Sequence, residues 1–189
     1  MSSRLGRFLI RALYPPSVAL NRLLCALGIW DRWDWIDDKV LLGAVPARRH
    51  IRELADLGIT AIINLCDEFA GHCDEIKHCG MSQLHLPIVD YHCPDLGTLE
   101  RGVEFLLDRA ASGQKTYLHC KAGQGRSATL ALCYLIAAYQ LPPGDAYTRL
   151  KTARPNVNRR LDRWPTVIEF ARRSAMEGRD RGQLASNAV

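Results

Sequence analysis

No acidic residue precedes Asp31, no segment repeats, and lysine is scarce, with five lysines against 20 arginines. No unbroken apolar run reaches the ~18–20 residues that a bilayer-crossing helix needs. A membrane-spanning protein is therefore not expected. The seven cysteines are an odd number, and no secretory cleavage signal accompanies them. That combination argues against a disulfide framework and for a reducing compartment, where a special cysteine is chemical rather than structural. Zinc-finger spacing and aromatic RNA-binding signatures are both missing, which sets nucleic acid aside as a partner. At 189 residues the chain can bury one full core but is too short for two.

Apolar residues make up 48% of the chain, charged residues 24%, and the net charge is +5. A modest positive excess favours anionic partners, either phosphorylated molecules or acidic lipid surfaces. Part of that charge lies in residues 1–30, where Arg4, Arg7, Arg11 and Arg22 occur without a counter-charge. Leu5, Phe8, Leu9, Ala12 and Leu13 follow helical spacing, and Arg4, Arg7 and Arg11 share another face. Pro15-Pro16 interrupts the pattern, and a second apolar stretch runs over 18–30. This extension fits a helix lying on an anionic membrane. It also fits a mitochondrial transit peptide in a eukaryote, or a helix packed on the domain's own surface. The expected location is the cytoplasm, with membrane association, or the mitochondrion if the organism has one.

The remainder reads as one α/β domain over 31–176 with a flexible polar tail over 177–189. Strands are expected over 39–45, 59–66, 84–89 and 116–118. Helices are expected over 48–57, 98–111, 127–139, 145–153 and 160–174, with a turn at Pro142-Pro143-Gly144. Alternating strands and helices imply a central, mostly parallel sheet of four or five strands flanked by helices. Such sheets place their sites beyond the carboxyl ends of the strands, which points to the loop after Leu118.

That loop is His119-Cys120-Lys121-Ala122-Gly123-Gln124-Gly125-Arg126-Ser127. A phosphate dianion needs many donors around one small volume. A tight loop at a helix N-terminus aims backbone N–H groups there, and the helix dipole adds to the attraction. Lys121, Ala122, Gly123, Gln124 and Gly125 would supply that cradle, and the glycines allow its sharp turns. The same dipoles stabilise a thiolate on Cys120. Arg126 can grip two phosphate oxygens through its planar fork, and Ser127 can donate to sulfur as the thiolate leaves. No cofactor and no metal is called for.

The segment resembles the signature of the protein tyrosine and dual-specificity phosphatase superfamily. The stretch Trp35-Ile36-Asp37-Asp38-Lys39-Val40-Leu41-Leu42-Gly43-Ala44-Val45-Pro46 is similar to the opening of the mitochondrial-type phosphatidylglycerophosphate phosphatases and their bacterial and plant relatives. The resemblance covers roughly residues 33–172. It implies a cysteine-dependent phosphatase with a phosphocysteine intermediate and a substrate that is a phospholipid or a phosphoprotein. It also implies a general acid about thirty residues before the cysteine, which falls on Asp90. Asp95 competes for that role, although a residue just before Thr98 also suits a helix cap.

Asn64-Leu65-Cys66-Asp67-Glu68-Phe69 resembles the acidic loop that the lipid phosphatases place beside their pocket, and Asp67 and Glu68 could equally be solvated loop residues. Arg154, Arg159, Arg160 and Arg163 form a basic stretch that reads as a charged surface or as the pocket entrance. The relatives carry an Arg-Pro-x-Gln sequence near here, where this chain has Arg160-Leu161-Asp162-Arg163. Four adjacent His-Cys pairs, His72-Cys73, His78-Cys79, His92-Cys93 and His119-Cys120, have an unusual spacing for a zinc site. A catalytically inactive phosphate-binding module would usually have lost its cysteine, arginine or acid, and here all three are present.

Overall fold

A computed structural model of the chain describes residues 14–20, 23–25 and 27–186, with side chains as far as residue 176. The basic amphipathic helix expected before Tyr14 lies outside the described residues, as does Arg22. Residues 14–20 and 23–25 are helical, and they lead through a turn into the domain.

Five strands form one sheet: β1 (Trp33–Trp35), β2 (Val40–Gly43), β3 (Ile59–Cys66), β4 (Ser82–Ile88) and β5 (Lys115–His119). Their order is β1-β2-β5-β3-β4. β1 runs antiparallel to β2, and the other pairings are parallel. β3 and β5 occupy interior positions with helices on both sides, which is why β3 reads as an almost unbroken apolar run.

Helices α1 (His50–Asp56) and α2 (Cys73–His78) cover one face. Leu41, Ile51, Leu54, Ile62, Ile76 and Tyr117 form the core there. The opposite face carries α3 (Leu96–Ala111), α4 (Arg126–Tyr139), α5 (Pro143–Ala153) and α6 (Pro165–Ser186). Every residue of α4 from Arg126 to Ile136 is buried, so this helix is the axis of the larger core. α3 approaches it closely at Gly102, where an added Cβ would lie 2.7 Å from the Leu130 methyls.

Several boundaries differ from those read in the sequence. β1 and α2 were not anticipated, because three and six residues are too few to establish a period. The expected turn at Pro142-Pro143-Gly144 is instead the start of α5, since a proline lacks a donor that the first helical turn does not need. The helix expected over 160–174 is divided. A 3-10 turn spans Leu161–Arg163, and Trp164 is extended before Pro165, as pre-proline residues prefer. α6 then continues to Ser186, into the segment expected to be a flexible tail.

Gly43 ends β2 where three pieces of chain converge. A Cβ there would lie 2.8 Å from the Arg32 carbonyl and from the Trp33 Cβ, besides meeting the Tyr117 hydroxyl. Gly43→Ala is therefore expected to destabilise the fold by about 1–3 kcal/mol through overpacking. Urea unfolding measures this, and an unchanged midpoint would contradict the crowding described.

Candidate active site

The loop 120–125 lies between the end of β5 and the start of α4, the strand-to-helix junction that the sequence pointed to. Cys120 is buried. Ser127 Oγ donates to its sulfur at 3.2 Å. Burial alone would raise the thiol pKa. The Arg126 charge, the Ser127 hydroxyl and the backbone N–H groups of Ser127 and Gly123 outweigh it and hold the thiol below its ordinary value. Burial dominates at Cys25, Cys66, Cys93 and Cys133, all of which are raised. Thiolate character thus belongs to the cysteine at the mouth of α4. Its neighbour His119 is pushed down to about 3, chiefly by burial, so it sits neutral under the loop.

Arg126 is fixed by carboxylates. Nη1 donates to Glu68 Oε2 and Nη2 to Glu68 Oε1, each at 2.8 Å, a two-pronged pair. Nη1 also donates to the Ile88 carbonyl at 2.8 Å. The Glu68 side chain is only 1% exposed, so of the two readings left open for that acidic loop a solvated residue does not hold for Glu68. Asp67 lies beside it, half-buried, and its N–H donates to the Ile88 carbonyl at 3.3 Å. Arg126 Nε is buried and has no protein partner among the described residues. It is a donor that an anion beside Cys120 would satisfy.

Asp90 follows β4 and reaches over the loop. Its Oδ1 lies 3.1 Å from Arg126 Nη2 and accepts from the Tyr91 N–H at 3.1 Å. Its Oδ2 pairs with Lys121 Nζ. Asp95 is elsewhere engaged. It caps α3, accepting from the Thr98 N–H at 2.8 Å and the Thr98 hydroxyl at 2.9 Å. The structure therefore gathers Cys120, Arg126, Ser127, Lys121 and Asp90 in one place and leaves Asp95 out of it.

Gly123 takes a left-handed φ of 72°. A Cβ there would lie 2.5 Å from the Gly43 carbonyl oxygen and 3.0 Å from Arg154 Nη2. Arg154 itself is 1% exposed, so of the two readings left open for the basic stretch a charged surface does not hold for this residue. The sequence held a partial signal: Ala146, Leu150 and Arg154 follow at intervals of four, although Arg154 stands just past the end of α5 as its extended C-cap. Arg159, Arg160 and Arg163 are exposed, as a charged surface requires.

Comparison with known proteins agrees with this geometry. The model of the dual specificity phosphatase catalytic domain matches residues 40–173. The chain belongs to the dual-specificity phosphatase family. Two Arabidopsis thaliana proteins, phosphatidylglycerophosphate phosphatases PTPMT1 and PTPMT2, are each 33% identical over 85% and 86% of this chain. Those matches cover 49% and 73% of the relatives, so the chain spans about half the length of the first. The Rattus norvegicus phosphatidylglycerophosphatase and protein-tyrosine phosphatase 1 is 34% identical over 86% of this chain and 89% of its own. A crystal structure of PTPMT1 in complex with PI(5)P is similar at a TM-score of 0.73 and 32% identity, covering 78% of this chain and 99% of that one. The reaction associated with that family, cysteine-dependent hydrolysis of phosphoric monoesters, calls for the residue types gathered around Cys120.

Loss of the Ser127 hydroxyl should raise the thiol pKa, because a donor to the thiolate is gone. Ser127→Ala is expected to move the pH midpoint of Cys120 alkylation by iodoacetate upward by roughly one unit, the scale of one hydrogen bond to a charged group. A midpoint at or below that of the wild type would rule this out.

Proposed function

We propose that this phosphatase acts on an anionic phospholipid of the phosphatidylglycerophosphate type, through a phosphocysteine on Cys120. The observation that carries the lipid reading is an apolar cleft of about 270 Å³ lined by Tyr14, Val18, Val45, Pro46, Phe69 and His72. Val45 donates its N–H to the Lys121 carbonyl, and Phe69 follows Glu68, so the cleft flanks the phosphate loop. Leu20, Leu23, Leu27 and Ile29 are exposed on the adjoining N-terminal segment. Exposed apolar residues clustered beside a basic extension suit peripheral contact with an anionic membrane through residues 1–30. Arg159, Arg160 and Arg163 add positive charge just beyond Asn158, whose N–H bonds the loop at Gln124. Among the described residues no helix is long and apolar enough to cross a membrane. The names of the relatives at 33–34% identity point to the same substrate.

In the first step the Cys120 thiolate attacks phosphorus. The Sγ–P bond forms as the bond to the alcohol oxygen breaks, and Asp90 gives that oxygen its proton. The loop N–H groups and Arg126 carry the charge on the equatorial oxygens. Arg126 Nε and the Nη2 proton that faces Asp90 supply the fork, while Glu68 keeps the guanidinium in plane. In the second step Asp90 takes a proton from water as the water oxygen attacks phosphorus. The P–S bond breaks, Ser127 receives the returning thiolate with a hydrogen bond, and inorganic phosphate leaves.

Two outcomes test this reading. Asp90→Asn is expected to lower kcat about 10²- to 10⁴-fold. Asp95→Asn should stay within about twofold of wild-type kcat and lose up to ~1 kcal/mol of stability as a weakened cap. Reversal of the two would transfer the acid role to Asp95. For the substrate, phosphate release from phosphatidylglycerophosphate in anionic liposomes is compared with release from a phosphotyrosine peptide, with Cys120→Ser as control. The lipid should be preferred, with activity lost in the control. A preference for the peptide would make the protein a phosphoprotein phosphatase.

A further inference from the structure

Aiming several successive N–H groups at one phosphate has a necessary counterpart. The carbonyls of the same peptides are driven outward into the protein, where each needs a donor. Every one of them has one. The Lys121 carbonyl accepts from the Val45 N–H at 3.2 Å, and that of Gln124 from the Asn158 N–H at 2.9 Å. The Gly125 carbonyl accepts from the Thr129 N–H at 2.8 Å and its hydroxyl at 3.0 Å. Among the described residues the two carbonyls at the tip of the loop have no backbone partner. Arg154 serves both, with Nη2 donating to Ala122 at 3.2 Å and Nε to Gly123 at 3.0 Å. Its remaining nitrogen, Nη1, donates to the Asp31 carbonyl at 3.4 Å and pairs with Asp34 of β1.

We propose that Arg154 is a positioning residue for phosphate transfer: its guanidinium, oriented by Asp34, holds the Ala122 and Gly123 carbonyls outward so that the peptide N–H groups of Gly123 and Gln124 face the phosphate and the thiolate. Arg154 touches neither the sulfur nor the transferred group. Its effect passes through two peptide planes, one of which places the Gly123 N–H that stabilises the Cys120 thiolate. A compact cation is not equivalent to it. Two carbonyls on adjacent peptides require donors in a fixed planar arrangement, which a guanidinium has and an ammonium lacks. This inference rests on the cysteine-phosphatase chemistry of the loop and is independent of whether the substrate is a lipid.

The test uses a small aryl phosphate and the full chain, with Arg154→Lys, Arg154→Met and Asp34→Asn. Arg154→Met should lower kcat about 100-fold, the scale of a reacting group displaced by about an ångström. It should also weaken inhibition by vanadate and move the alkylation midpoint of Cys120 upward. Arg154→Lys should fall between Met and wild type, and Asp34→Asn should shift the same readouts in the same direction by less. Urea unfolding runs alongside. A lowered unfolding midpoint with unchanged kcat, vanadate inhibition and alkylation profile would reduce Arg154 to a packing role. Wild-type behaviour of Arg154→Lys would show that charge suffices and overturn the argument from the fork. If Arg154→Met does not fold, the Lys and Asn variants decide the matter alone. Failure of the underlying chemistry would look different, as aryl phosphate turnover that survives Cys120→Ser.

Discussion

A binding site for a dianion is a concentration of donors, and donors turned toward one point repel one another and strand their carbonyls. The structure is arranged around that difficulty. The amides of loop 121–125 converge at the N-terminus of α4, and an outer ring of donors from β2's continuation, α4 and the segment 154–158 takes up the carbonyls. Gly123 and Gly43 are the points of closest approach, and side chains at either would separate the layers. The parallel strands matter because they bring the ends of β2, β3 and β5 to one edge. Loops that are distant in sequence meet there.

Charge is handled in the same layered way. Arg126 is buried, and a buried cation without a partner is costly. Glu68 neutralises it with two parallel hydrogen bonds while leaving Nε unengaged by protein. Asp90 and Lys121 form a second pair above the first. Arg154 and Asp34 form a third behind the loop. Two of these pairs surround the thiol, yet its pKa falls, because the nearest contacts to sulfur are donors.

Much of this was legible in the sequence. The loop announces itself because its chemistry is local: nine consecutive residues, an apolar strand before and an apolar helix after. The long elements were readable from period alone, as was the parallel sheet from their alternation. β1 and α2 were not, since their existence depends on pairing with β2 and packing against β4 rather than on their own composition. Glu68 and Arg154 were ambiguous for a related reason. A charged residue in a polar stretch is usually solvated, and only the folded chain shows that one faces Arg126 and the other faces two carbonyls. Arg154 stands at the C-cap of α5, and its bonds to the Ala122 and Gly123 carbonyls and to Asp34 are what its burial requires. Asp95 illustrates the opposite case, where the cap suggested by its place before Thr98 is a contact the folded chain makes.

The pairing of Arg154 with Asp34 joins residues 120 positions apart. Asp34 lies on the edge strand β1 and Arg154 just past the end of α5. A chain deprived of β1 would carry the complete signature loop without the carboxylate that pairs with Arg154. An edge strand that takes no part in the phosphate cradle thus supplies the counter-charge behind it.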